Sequence, residues 1–74
     1  MNVELKINFY TIKLFIDGYI HLFIWRKDFV GFQSWSDGND KCTIEFYTKT
    51  NKITLEQDTK EKWLTILKEL NNKL

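Results

Sequence analysis

The stretch Tyr10-Thr11-Ile12-Lys13-Leu14-Phe15-Ile16-Asp17-Gly18-Tyr19-Ile20-His21-Leu22-Phe23-Ile24-Trp25 decides the fold. Asp17-Gly18 at its centre is a strong hairpin signal, because both central residues of a type I′ turn need positive φ. A two-residue turn there sets Ile16 opposite Tyr19, Leu14 opposite His21, Ile12 opposite Phe23 and Tyr10 opposite Trp25. The other face then carries Phe15 with Ile20, Lys13 with Leu22 and Thr11 with Ile24. Both faces are apolar, whereas an antiparallel sheet open to water on one side is polar there. Curling of the sheet or another molecule must supply the second cover.

Upstream, Val3, Leu5, Ile7 and Phe9 alternate with polar residues, and the phase then flips to Tyr10, Ile12, Leu14 and Ile16. Such a flip predicts a bulge or sharp bend near Phe9–Tyr10. Downstream, Arg26-Lys27-Asp28 is a polar connection and Phe29 to Ser36 reads as a further strand. Asp37-Gly38-Asn39-Asp40 is a turn cluster. Cys42, Ile44, Phe46 and Thr48 alternate, and a turn at Thr50-Asn51 leads into Ile53 and Leu55. That register pairs Phe46 with Leu55 and Tyr47 with Thr54, and sets Glu45 opposite Glu56.

The chain closes on an amphipathic helix. Asp58 and Glu61 form a capping pattern, with Thr59 as the competing cap. Trp63, Ile66, Leu67, Leu70 and Leu74 share one stripe, with Leu64 at its edge. The expected architecture is α+β: a strongly curved antiparallel sheet of about five strands packed on one C-terminal helix, forming a single domain over residues 1–74.

Seventy-four residues with 43% apolar and 16% aromatic content are too rich for disorder. A domain this small is marginally stable without a staple. Cys42 is the only cysteine and His21 the only histidine. Neither an internal disulfide nor a Cys/His zinc site can form, which leaves homo-oligomerisation as the expected staple. Cys42 reads as a small buried group. Net charge is +1, so no strong overall field directs the chain to nucleic acid or an anionic membrane. The run from Ile12 to Trp25 is too short and too interrupted by polar residues to span a bilayer. A cytoplasmic protein that does not enter the membrane is expected.

No motif calls for a cofactor or metal, and no nucleophile–base pattern surrounds His21, which reads as a half-buried or interface residue. Asp37, Asn39 and Asp40 offer oxygens of the kind hard cations take, but without the spacing of a calcium loop. The chain therefore reads as non-catalytic. Its distinctive feature is the aromatic set between Tyr10 and Trp35, with Arg26 and Lys27 among it. Tyr19, Trp25, Arg26, Lys27, Phe32 and Trp35 are the candidate binding residues. Trp and Arg are enriched at protein interfaces, and rings beside basic groups also stack the bases of single-stranded nucleic acid. A protein-contact module is the expected function. The rivals are a single-stranded nucleic-acid binder and a nucleotide or messenger sponge. The A/T-rich flavour of the composition, heavy in Lys, Ile and Asn and without Pro, adds by association a phage-type inhibitor of a host defence protein, such as an anti-CRISPR.

The segment Thr43 to Glu56, followed by Asp58 to Leu70 with Trp63, resembles the end of a pleckstrin-homology-like domain, where a β-hairpin leads into a helix carrying a core tryptophan. The resemblance covers less than half the chain. It implies a sheet closed by that helix. Phosphoinositide binding in such domains uses a basic loop between the first two strands, which Asp17-Gly18 does not supply. The order of strands and helix is also similar to transcription-coactivator-like single-strand DNA binders, at the level of fold alone.

Overall fold

A computed structural model describes residues 1–38 and 41–74. Six strands and one helix follow in the order β1 (Val3–Ile7), β2 (Thr11–Ile16), β3 (Tyr19–Trp25), β4 (Phe29–Ser36), β5 (Cys42–Thr48), β6 (Lys52–Gln57) and α1 (Lys60–Lys73). They form two three-stranded antiparallel sheets, β1-β2-β3 and β4-β5-β6. The α+β class stands, but the single strongly curved sheet of about five strands is replaced by two separate meanders. Two local features cause the difference. The phase flip near Phe9–Tyr10 is a complete chain reversal, which turns the first alternating run into two paired strands. Arg26–Asp28 then forms one turn of 3-10 helix, so β4 starts a new sheet.

At Asp17-Gly18 both residues have positive φ, 51° and 84°, as the turn type demands. The Asp17 carboxylate also accepts from Asn2 N at 2.8 Å. The register expected from this turn holds for Ile16–Tyr19 and Phe15–Ile20 and then slips at His21. Beyond the bulge Leu14 faces Leu22, Lys13 faces Phe23, Ile12 faces Ile24 and Thr11 faces Trp25. One extra residue exchanges the faces of everything after it. Leu22 and Ile24 thereby join Leu5, Ile12, Leu14 and Ile16 in the core. His21 is left exposed at the bulge, not packed with Leu14 or Ile12. The hairpin thus has one deeply buried face, which its own chain covers, and one outer face.

In the second sheet the turn lies at Lys49-Thr50, one residue earlier than Thr50-Asn51. The Thr48 hydroxyl accepts from Asn51 N and lies 2.6 Å from Asn51 Oδ1. The two side chains that flank the turn therefore clamp each other. A one-residue shift of a turn changes the register by two, so inward and outward residues keep their faces. Phe46 faces Ile53, Ile44 faces Leu55 and Tyr47 faces Lys52. Glu45 faces Thr54 and Glu56 faces Thr43, so the two carboxylates do not oppose each other. Cys42 is buried, as expected, with its thiol 3.7 Å from the Ser36 hydroxyl. Gly38, with φ 83°, follows β4. Asn39 and Asp40, weighed above as turn and cation ligands, lie outside the described residues.

Thr59, not Asp58, caps α1, its hydroxyl accepting from Lys62 N at 3.3 Å. Asp58 instead forms an ion pair with Lys62 at 3.1 Å. The stripe lands where the spacing puts it for Ile66 and Leu70, fully buried, and for Trp63 and Leu67 beside them, whereas Leu74, also expected on it, lies past the helix end and is exposed. The core is shared by both sheets and the helix. No helix among the described residues is long and apolar enough to cross a membrane.

The helix also closes an edge of the first sheet. Glu69 Oε1 accepts from Leu5 N at 3.2 Å, and Lys73 Nζ donates to Leu5 O at 3.0 Å. The two side chains are joined at 2.9 Å. An open strand edge is a template for aggregation, and this pair blocks β1 at its centre. The Lys73 ammonium, then the Leu5 N–H, hold the Glu69 carboxyl below its ordinary value of 4.5. A depressed folded-state pKa contributes stability above the unfolded value, and that contribution is lost as pH falls through the folded one. Wild-type urea midpoints should therefore fall more steeply than those of Glu69→Gln as pH drops below about 4.5. Parallel acid limbs in the two proteins would refute this role for Glu69.

Candidate functional site

The reversal between β1 and β2 consists of two residues, Phe9 and Tyr10, both at the tip and strongly exposed, at 79% and 68%. Tight hairpin tips usually carry Gly, Asn or Asp. Here Asn8 does the work from the flank. Its Oδ1 accepts from Tyr10 N and Thr11 N, each at 2.8 Å, and from the Thr11 hydroxyl at 3.1 Å. Asn8 N donates to Thr11 O at 3.0 Å. Arg26 adds a brace from the end of β3: its backbone N–H reaches Tyr10 O at 2.8 Å and its guanidinium Nη1 reaches Asn8 O at 3.3 Å. The backbone of the tip is thus fixed by bonds within the domain itself.

The two tip rings meet edge to face at 5.0 Å. With Trp25, Lys27 and Asp28 they line a half-open cleft of about 650 Å³. Trp25 is 52% exposed and holds Phe23 edge to face at 5.1 Å. A mostly aromatic recess flanked by one cation and one carboxylate can take up an apolar side chain and orient it by its polar neighbours.

The sequence-derived candidates divide. Trp25, Arg26 and Lys27 do come together at this end of the first sheet. Arg26, however, acts as a brace of the tip. Tyr19 is exposed but begins β3, about 20 Å along the strand from Trp25. Phe32 faces inward, half-buried against the core, with its ring 6.2 Å from Phe46. It does not belong to the outer surface. Trp35 is exposed on the outer face of the other sheet, opposite Thr43. Near it, Glu45 accepts from the Tyr47 hydroxyl at 2.8 Å and pairs with Lys52 at 3.2 Å. The Tyr47 hydrogen bond, with help from Lys52, lowers the Glu45 pKa, and burial with the Glu45 carboxylate raises that of Tyr47. Those polar groups satisfy one another.

Phe9 and Tyr10 are not among the sequence-derived candidates, although Tyr10 opens the aromatic set. The signal available was Asn8, a residue that starts turns by bonding backbone N–H groups two residues on. No family model, curated protein or solved structure matches the chain.

Proposed function

We propose that the chain is a non-catalytic binding module that acts by protein contact through the Phe9–Tyr10 tip and the cleft beside Trp25. The observation that carries this reading is the braced exposure of two aromatic residues at a hairpin tip. Solvent-exposed rings at a turn bring no stability to an isolated domain, yet six hydrogen bonds among Asn8, Tyr10, Thr11 and Arg26 fix the backbone that carries them. Aromatic side chains presented on a fixed backbone are common anchors of protein interfaces. The mixed charge of Lys27 and Asp28 suits a protein surface, where both signs are interspersed. The narrower reading, a stoichiometric inhibitor of a host protein, would use the same surface.

The test is capture from a lysate by tagged wild type against Phe9→Ala/Tyr10→Ala. Both side chains are exposed, so the double variant should melt within a few degrees of wild type. A specific partner should be retained by wild type and lost by the variant, since single hot-spot truncations cost about 2 kcal/mol or more. Equal capture by both proteins would remove the tip from the interface.

A further inference from the structure

The pairing of β1 with β2 sets Lys6 directly opposite Lys13. Like charges directly opposite on one face of a sheet are destabilising, and little here compensates. Lys6 meets Glu4 only at 3.9 Å, and Lys13 has no ion-pair partner among the described residues. Both ammoniums instead lie over aromatic rings, Lys6 at 5.1 Å from the centre of Phe15 and Lys13 at 5.8 Å from that of Phe23. Phe15 of β2, half-buried, and Phe23 and Trp25 of β3, exposed and in edge-to-face contact at 5.1 Å, lie on the outer face of the first sheet. The second sheet and the helix pack on the opposite face. Lys27 stands at the Trp25 end.

We infer that this outer face binds single-stranded nucleic acid, its rings stacking bases while Lys6, Lys13 and Lys27 meet the phosphates. An anion that follows the strand relieves the Lys6–Lys13 repulsion, and sequence-tolerant stacking needs only an exposed ring beside a cation. Lys6, Lys13 and Lys27 share this face with Glu4 and Asp28, so its excess of positive charge is small and local to the Lys6–Lys13 pair. A second copy of the chain is the rival occupant, and the test below separates the two. The inference shares Trp25 and Lys27 with the protein-contact reading, whose anchors are Phe9 and Tyr10, and is separated from it by Lys13 and Phe23.

Fluorescence anisotropy with labelled thymidylate and uridylate dodecamers tests it. Binding should appear below about 100 µM protein and weaken roughly 20-fold between about 50 and 200 mM salt, as expected for three phosphate contacts on a single strand. Lys13→Gln should lower the log–log salt slope by about 0.7. Phe23→Ala should weaken binding about tenfold at constant salt. Phe9→Ala/Tyr10→Ala should leave oligonucleotide binding nearly intact, so that failure of either reading is visible without the other. Absence of binding to both oligomers overturns the inference, as does a salt slope that Lys13→Gln leaves unchanged. Dimerisation abolished by Phe23→Ala, or a protein partner lost with Lys13 and Phe23 while oligonucleotides fail to bind, also overturns it and reassigns the face.

Discussion

Phe46→Ala is expected to remove a large share of the domain's stability and to lower its urea midpoint steeply. Phe46 is the largest fully buried side chain, 1% exposed, on the central strand of the second sheet. It faces Ile53 on one neighbour and Phe32 on the other, and it belongs to the cluster that includes Ile66 and Leu70 of the helix. Truncating such a side chain costs about 3–5 kcal/mol, because the cavity is walled by strands that cannot collapse into it. A chain of this length has only about 4–11 kcal/mol to lose. Urea unfolding followed by far-ultraviolet circular dichroism reads the result. A midpoint close to that of wild type would mean that the two sheets do not share one core.

How far this fold could be read from the chain depends on which interactions set each element. The helix was legible because its stripe and its cap are local in sequence, and only the choice between Asp58 and Thr59 needed the geometry of the first turn. The Asp17-Gly18 turn was legible for the same reason: its φ requirement selects the residues. The bulge at His21 was not. Alternation gave two apolar faces, and only the chance to bury Leu22 and Ile24 with Ile12 and Leu14 decides which register wins. The tip was hidden because Phe and Tyr replace the usual turn residues and Asn8 supplies the bonding from outside. Of the site, Trp25 and Lys27 could be found from their types. Lys6 could not, since its position beside Lys13 exists only once β1 folds back on β2. Phe32 and Trp35 show the limit of counting aromatics: three residues apart on one strand, they point to opposite faces.

Trp63 joins the helix to the sheets, and two substitutions separate its packing from its polarity. The side chain packs against the core beside Ile66 and Leu70, but its indole Nε1 is buried without a hydrogen-bond partner among the described residues. A buried donor left unmade costs about 1–3 kcal/mol. Trp63→Ala removes the packing and is expected to cost about 3–5 kcal/mol, a large share of the stability of so small a domain. Trp63→Phe keeps most of the apolar contact and removes the unpaired N–H, so the lost volume and the relieved desolvation oppose each other. Its stability should lie within about 1 kcal/mol of wild type. Chemical denaturation of the three proteins gives the comparison. If Trp63→Phe is as damaging as Trp63→Ala, the indole N–H makes a bond that matters and the orphaned donor is not real. If both are mild, the first turn of the helix is not anchored through this residue, and Ile66 and Leu70 alone hold it to the sheets.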